Sequence, residues 1–294
     1  MKRTLYRVLS FCLVGSLAVS CAKDENVTPG PDVVAQTADA TATRDSNIAL
    51  GNPSGATTDA ANYTNYLLSK TQYSASYHRD RGIPNWVSWH LSSAWLGTTP
   101  RQDNFSSDAT LPTGWFRATS SSYTGSGFDR GHNCPSADRT GSVADNSATF
   151  LMTNMMPQAA NNNQRTWAGL ENYCRTLVDA GNELYIICGS YGTGGTGLNG
   201  YTTTIASGKI TVPSNCWKVV VVLPNGTGDA ARVTTSTRVI AINTPNTQTV
   251  NTDWAAYRTT VDAIEAATGY NLLSAVSSTV QSTIESRVDT GPTN

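Results

Sequence analysis

"GFDRGHNCPSADRT", residues 127–140, holds one of only three histidines in a chain of 294 residues. How His132 in its Asp129–His132 core is read decides how the rest of the sequence is read. A lone histidine between an arginine–glycine pair and a cysteine has an ordinary structural explanation, a satisfied ring that happens to titrate. Composition does not discriminate: at 39% hydrophobic residues the chain is globular, long enough to bury one large core or two smaller ones. No internal repeat and no second domain boundary is visible.

Downstream lies "NMMPQAANNNQ", residues 154–164, with neutral amides at Asn154, Gln158, Asn161, Asn162, Asn163 and Gln164. Taken alone it reads as a turn followed by a helix cap. The cap is plausible because "NQRTWAGLENYCRTLVDAG", 163–181, puts Trp167, Leu170, Cys174, Leu177 and Val178 on one helical face and ends at Gly181. Glu171 follows Asn163 by eight positions, about 12 Å of α-helical rise, too far for both side chains to grip one ion. A carboxylate leaning back toward the helix start can instead hold a water that the ion carries.

The strand candidates are "IPNWVSWHL" (83–91), which alternates as if one face were buried, "TFLMT" (149–153), "ELYIICG" (183–189), "CWKVVVVLP" (216–224) and "TRVIAINTP" (237–245). A second helix is expected over 252–269, with Trp254, Tyr257, Val261 and Ile264 on one stripe and Gly269 as its stop, and short helical pieces in "LLSAVSSTVQSTIES". Strands mixed with a few helices, without regular βαβ alternation, indicate an α+β fold.

"DRGH" at 129–132, "NMMPQ" at 154–158 and "NQRTWAGLE" at 163–171 together resemble the non-specific DNA/RNA endonucleases of the ββα-metal type, which include endonuclease G. Weaker similarity in "IPNWVSWHL" and "IEAATGYNLL" extends the match over roughly residues 60–285. The resemblance implies the ββα-metal (His-Me finger) fold, a central antiparallel sheet flanked by helices. It also implies a Mg²⁺-dependent phosphodiesterase, with Mn²⁺ as a possible substitute, that cuts DNA and RNA, double- or single-stranded, to 5′-phosphate and 3′-hydroxyl ends.

By the same resemblance His132 is the general base, Asn163 the one protein ligand of the metal, Glu171 the carboxylate that orients metal-bound water, and Arg130 a phosphate-binding arginine. Asp129 holds the loop and Asn154 positions the site. These roles meet what phosphodiester hydrolysis needs: an activated water, neutralised phosphoryl oxygens and help for the departing oxygen. His90 stands where part of the family carries an arginine; it is expected at the substrate, where either Arg79, Arg81 or Arg165 compensates for its weaker charge or the enzyme works with less charge. Trp86, Trp89 and Trp115 are candidates for base stacking, with core packing as their other role.

From Arg79 to Arg175 every basic residue is an arginine, the side chain whose fork suits phosphate, although pairing with nearby acids would use most of them. Three histidines and no HExxH argue against a zinc hydrolase. Two other classes make different expectations: a binding module that kept the scaffold and lost activity would show damage at His132, Asn163 or Glu171, and a metal-independent phosphodiesterase would keep its activity under chelation.

The first twenty residues read as a secretory signal: Lys2, Arg3 and Arg7 precede an apolar run too short to span a bilayer. "LAVSC" ends at Cys21 and resembles a lipobox, so export is expected, with a lipid anchor at Cys21 at an outer membrane or cell surface, or with release outside the cell. Removing the signal lowers the basic count from 20 to 17 against 21 acids, which leaves no polybasic footprint. Residues 22–57, poor in large apolar side chains, read as a flexible tether, and 58–288 as the nuclease domain. Cys134, Cys174, Cys188 and Cys216 remain in the exported chain, with the disulfide pairing open among three arrangements.

Overall fold

The computed structural model describes residues 41–293; the signal, Cys21 and the first half of the expected tether lie outside them. A six-stranded antiparallel sheet runs in the order β1 (Tyr66–Ser69), β2 (Ser74–His78), β3 (Ile83–Leu91), β6 (Asn182–Tyr191), β11 (Asn215–Pro224) and β12 (Arg238–Pro245). Between β3 and β6 the chain forms a two-stranded unit of β4 (Asp129–His132) and β5 (Met155–Gln158), with helix α1 (Val143–Ala148) in the loop between them, and then helix α2 (Ala168–Asp179). Four short strands, β7 (Gly195–Gly197), β8 (Gly200–Thr202), β9 (Thr204–Ile205) and β10 (Ile210–Thr211), pair off as two small ladders. Helices α3 (Asp229–Arg232), α4 (Val261–Thr268) and α5 (Ser278–Ile284) complete the fold.

All nine residues of β3 are buried, not one face of it, because the sheet is covered on both sides. Strand periodicity divides its side chains. Val87, Trp89, Leu91, Leu184, Ile186, Cys188, Val220 and Ile240 pack with α2 through Trp167, Leu170 and Cys174. Trp86, Tyr185, Ile187, Trp217, Val219 and Val239 face the other way, onto Val261 and Ile264 of α4 and Ile284 of α5. Trp86 and Trp89 are therefore core residues with no exposed face for a base. Trp115, partly buried, lies edge-on to Tyr66 with centroids 5.1 Å apart.

The structure corrects several expectations. "TFLMT" is not a strand: Thr149 caps α1, Leu151 makes one isolated bridge to Ser106, and Met152–Asn154 is a 3-10 turn. Its residues are apolar because Phe150 and Met152 plug the core; the strand begins one step later, at Met155.

The helix expected over 252–269 is two pieces, a 3-10 turn at Trp254–Tyr257 and α4, which starts where Thr260 accepts the Ala263 amide at 3.0 Å. Trp254 stacks on Tyr173 on the α2 side of the sheet, whereas Val261 and Ile264 lie on the opposite side. The stripe is broken because the chain crosses over at β12, where the Thr259 amide donates to the Ala241 carbonyl at 2.9 Å.

The flexible tether does not extend to residue 57. Leu50 is 2% exposed and belongs to the core around Trp86. Asn47 donates to the Thr71 carbonyl at 2.9 Å and accepts from the His90 amide at 3.2 Å, and the Arg44 guanidinium lies 4.3 Å over the Trp95 ring. One buried leucine and a few directed polar side chains suffice to fix a segment whose composition reads as mobile. Cys134, Cys174, Cys188 and Cys216 are all free and buried, so none of the three pairings is formed.

Candidate active site

β4 and β5 pair in the register Asp129–Gln158, Arg130–Pro157, Gly131–Met156 and His132–Met155, which carries "DRGH" alongside "MMPQ". Gly131 is required by this closeness: a Cβ there would sit 2.7 Å from the Gln158 Cβ and 3.1 Å from the Met156 carbonyl oxygen. The chain leaving β5 enters a π-helical turn, Asn162–Trp167, before α2. These elements wall a cleft of about 330 Å³ lined by Arg101, Phe105, Ser120, Asp129, Arg130 and Asn163, among others.

The cluster of neutral amides divides into two jobs. Asn154, wholly buried, receives the Cys134 amide at 3.0 Å and donates to the Cys134 and Thr149 carbonyls, each at 2.8 Å. It clamps the loop that follows His132 and does not line the cleft. Asn161 and Asn162 tie the π turn to Gln248 and Thr244. Asn163 and Gln164 instead each donate 2.8 Å hydrogen bonds to the same Asp129 Oδ2. A carboxylate only accepts, so the Asn163 amide nitrogen must face Asp129, which leaves its Oδ1 free to be a ligand. That donor set, a fixed amide oxygen in a cleft with a carboxylate behind it, fits a hard divalent cation.

His132 stands beside the cleft between Phe105 and Phe150, whose rings meet it edge-on at 5.6 and 5.0 Å. Its Nε2 has no hydrogen-bond partner among the described residues. Burial, helped by Arg101 and Arg130, lowers its pKa to about 3, so the ring is neutral at physiological pH and able to accept a proton. Arg130 lies 4.0 Å over Phe105 and donates to the Ser120 hydroxyl at 2.5 Å. Arg101, not singled out as a site residue from sequence, is steered by Asp103 (2.7 Å) and Ser136 (2.9 Å).

The profile of the DNA/RNA non-specific endonuclease family matches residues 51–279. The chain belongs to that family. A nuclease of Nostoc sp. is 53% identical over 243 residues, covering 83% of this chain and 86% of the relative. Mouse mitochondrial nuclease EXOG is 31% identical over 169 residues, covering 55% of this chain and 44% of the relative. A chain of the EndoG/EndoGI crystal structure superposes with a TM-score of 0.63 at 20% identity, covering 79% of this chain and 91% of that one, a likeness of fold. The ββα-metal fold expected from the motifs is the fold observed.

In this nuclease Glu171 accepts from Lys218 Nζ at 3.2 Å. Lys218 comes from β11, is wholly buried, and places its ammonium 4.1 Å from the Trp167 ring centroid. The Trp167 indole in turn donates to the His132 carbonyl at 3.3 Å. Burial raises the pKa of Glu171, and the Lys218 charge opposes that rise. On a continuous α-helix, eight residues overshoot two turns by about 80°. The π turn closes with longer i→i+5 bonds and advances less per residue, so the stretch from Asn163 to Glu171 takes up much of that overshoot. Lys218 was hidden from sequence reading inside an apolar strand, its only signal being a charge at a position whose neighbours on the same face are core residues.

Two residues expected at the substrate stand elsewhere. His90 is 0% exposed and on the α4 side of the sheet, the wrong face for the cleft. Its Nε2 meets Glu183 Oε2 at 3.2 Å and its Nδ1 lies 3.3 Å from the Asp45 amide. Asp45, His90, Glu183 and Asp229 bring donor atoms within 4.8 Å of one another, a spacing open to a metal, but Arg232 already bridges Glu183 and Asp229. Arg165 is exposed on the π turn and is not among the cleft residues. Arg81 is spent on the Gly192 carbonyl at 2.8 Å; Arg79 pairs with Asp80 at 2.7 Å and lies 3.8 Å over Tyr63. The cleft arginines are Arg101 and Arg130.

Proposed function

We propose that this chain is a divalent-metal-dependent endonuclease that hydrolyses phosphodiester bonds of DNA and RNA, single- or double-stranded, to 5′-phosphate products. The observation that carries the reading is the pairing of a neutral imidazole, its Nε2 unpartnered, with a cleft that holds two arginines and an oriented Asn163 Oδ1. His132 takes the proton from the attacking water. Arg130 and Arg101 receive the non-bridging oxygens of the scissile phosphate, and the aromatic wall of Phe105 and Phe150 keeps the base neutral between turnovers. Asn163 would hold the cation, Mg²⁺ or Mn²⁺, with Asp129 fixing its amide, while Glu171 anchors water near the helix start. The bound cation supplies charge against the phosphoryl oxygens and the departing 3′ oxygen.

Contacts aimed at phosphate carry no base identity, which supports breadth over sequence and sugar. The inactive binding-module reading would need a change at His132, Asn163 or Glu171, and the sequence keeps all three. The test is cleavage of plasmid DNA and of RNA with Mg²⁺ and with EDTA, beside His132→Ala. Loss of both cleavages on chelation and in the variant is expected; activity that persists in EDTA would overturn the metal, and activity that persists in the variant would overturn the base.

Export and lipid anchoring at Cys21 form part of the same proposal, supported by the leader sequence alone. Labelling with a fatty acid in the producing cell, lost in Cys21→Ser, is the expected result.

A further inference from the structure

Three carboxylates outside the cleft meet where α4 and the end of α5 close the second core. Asp262 and Glu265 lie one turn apart on α4, and Glu285 directly follows α5. One oxygen from each comes within 4.8 Å of the other two. The backbone holds them there: the Asp262 amide donates to the Glu285 carbonyl at 3.1 Å, and the neighbouring side chains Val261, Ile264 and Ile284 are buried.

Such crowding of acids calls for a counter-charge, and none is supplied by the described residues. None of the three forms an ion pair there, and Arg287, two residues past Glu285, turns its guanidinium to the Thr283 and Thr235 carbonyls. Glu265 has one protein partner, the Leu272 amide at 2.7 Å. Glu285 is 5% exposed, yet its Oε1 has no hydrogen-bond partner among the described residues. A buried, unpartnered carboxylate oxygen costs free energy unless something satisfies it.

We propose that Asp262, Glu265 and Glu285 form a structural Ca²⁺ site that staples α4 to the C-terminal helix. Three carboxylates with no nitrogen or sulfur donor select a hard cation. Partial exposure on the Asp262 side leaves room for the waters that Ca²⁺ needs to complete six to eight ligands, a looser demand than the octahedron of Mg²⁺. Glu285, with its unmatched oxygen, is the inner ligand, and Asp262 is the outer one.

The experiment uses the full chain in an Asn163→Ala background, so that stabilisation through the active-site cation does not enter. Melting is followed by calorimetry in Ca²⁺ and in EGTA, and Tb³⁺ luminescence serves as a direct probe of occupancy. An upward Tm shift of roughly 5–10 °C at a hundredfold excess over Kd is expected, with Tb³⁺ emission displaced by Ca²⁺. Asp262→Asn, an exposed change that leaves packing intact, and Glu285→Gln should each remove most of the shift. Glu285→Gln should melt no lower than its parent in EGTA, because it relieves the crowding. No Ca²⁺-dependent shift in the Asn163→Ala background, or a shift undiminished from that background in both further variants, would overturn the proposal.

Discussion

His132 owes its neutrality first to burial, beside Phe105 and Phe150, and then to Arg101 and Arg130, and that has a consequence for pH. Its folded-state pKa, about 3, lies below the ordinary value near 6.5. The folded protein therefore binds fewer protons than the unfolded chain between these values. The stability from this group is full above pH 6.5 and is lost as pH falls toward 3. Cleavage should accordingly keep its rate from pH 7.5 down to 5.5, with no loss centred near 6.5; a rate profile that halves at pH 6.5 would show that the ring is accessible to water. His132→Ala should cost about 10²–10⁴-fold in kcat with the melting temperature largely kept.

Lys218 makes the opposite kind of prediction. Replacing it by Met strands Glu171, and breaking a buried pair costs about 3–5 kcal/mol; because the Glu171 side chain is 14% exposed, the lower end is expected from denaturant unfolding. Glu171→Gln added to Lys218→Met should recover part of that loss.

At this scale the sequence was legible where chemistry is unusual and local. "DRGH" and Asn163 stood out by residue type, and the structure places Arg130 and Asn163 in the cleft with His132 beside it. His90 was misplaced because a strand alternates its faces: one position along β3 separates the α2 side from the α4 side, and the motif did not say which face the cleft uses. Arg101 was illegible as a site residue, since it arrives from a loop whose contacts to Ser136 and Phe150 are made only by tertiary folding.

At the scale of elements, the π turn at Asn162–Trp167 is the part most closely tied to the site. A helix start was readable in the run of asparagines, but its geometry was not, because the π form depends on anchors at Gln248 and Thr244 far along the chain. Inserting one residue between Gln164 and Arg165, which adds about 100° of helical rotation, should turn Asn163 away from the face that carries Glu171. Helix content by far-UV circular dichroism should be nearly unchanged while cleavage is lost; retained cleavage would mean that the phase of this helix does not matter. The strands β3, β6, β11 and β12 were readable as runs rich in β-branched and aromatic residues, whereas the short β4–β5 pair was not, being too polar in one strand and interrupted by Pro157 in the other.

For the molecule as a whole, the packed unit begins well before its aromatic-rich part. Removing residues 1–57 takes away Leu50 and the Asn47 clamps and should lower the melting temperature. Leu50→Ala alone should cost about 2–5 kcal/mol, read from denaturant unfolding. A truncation at 57 that melts like the longer chain would show that this segment only rests on the surface.

The four buried cysteines have a further use. Desolvation raises every one of their pKa values, to about 12 for Cys134, Cys174 and Cys216 and well above the ordinary value for Cys188. At these four positions the folded protein thus presents almost no thiolate to an alkylating reagent, so each modification there records an opening of the interior. Since Cys174 sits on α2 and Cys188 and Cys216 on the neighbouring strands β6 and β11, the order in which they become labelled would time how the helix lifts from the sheet.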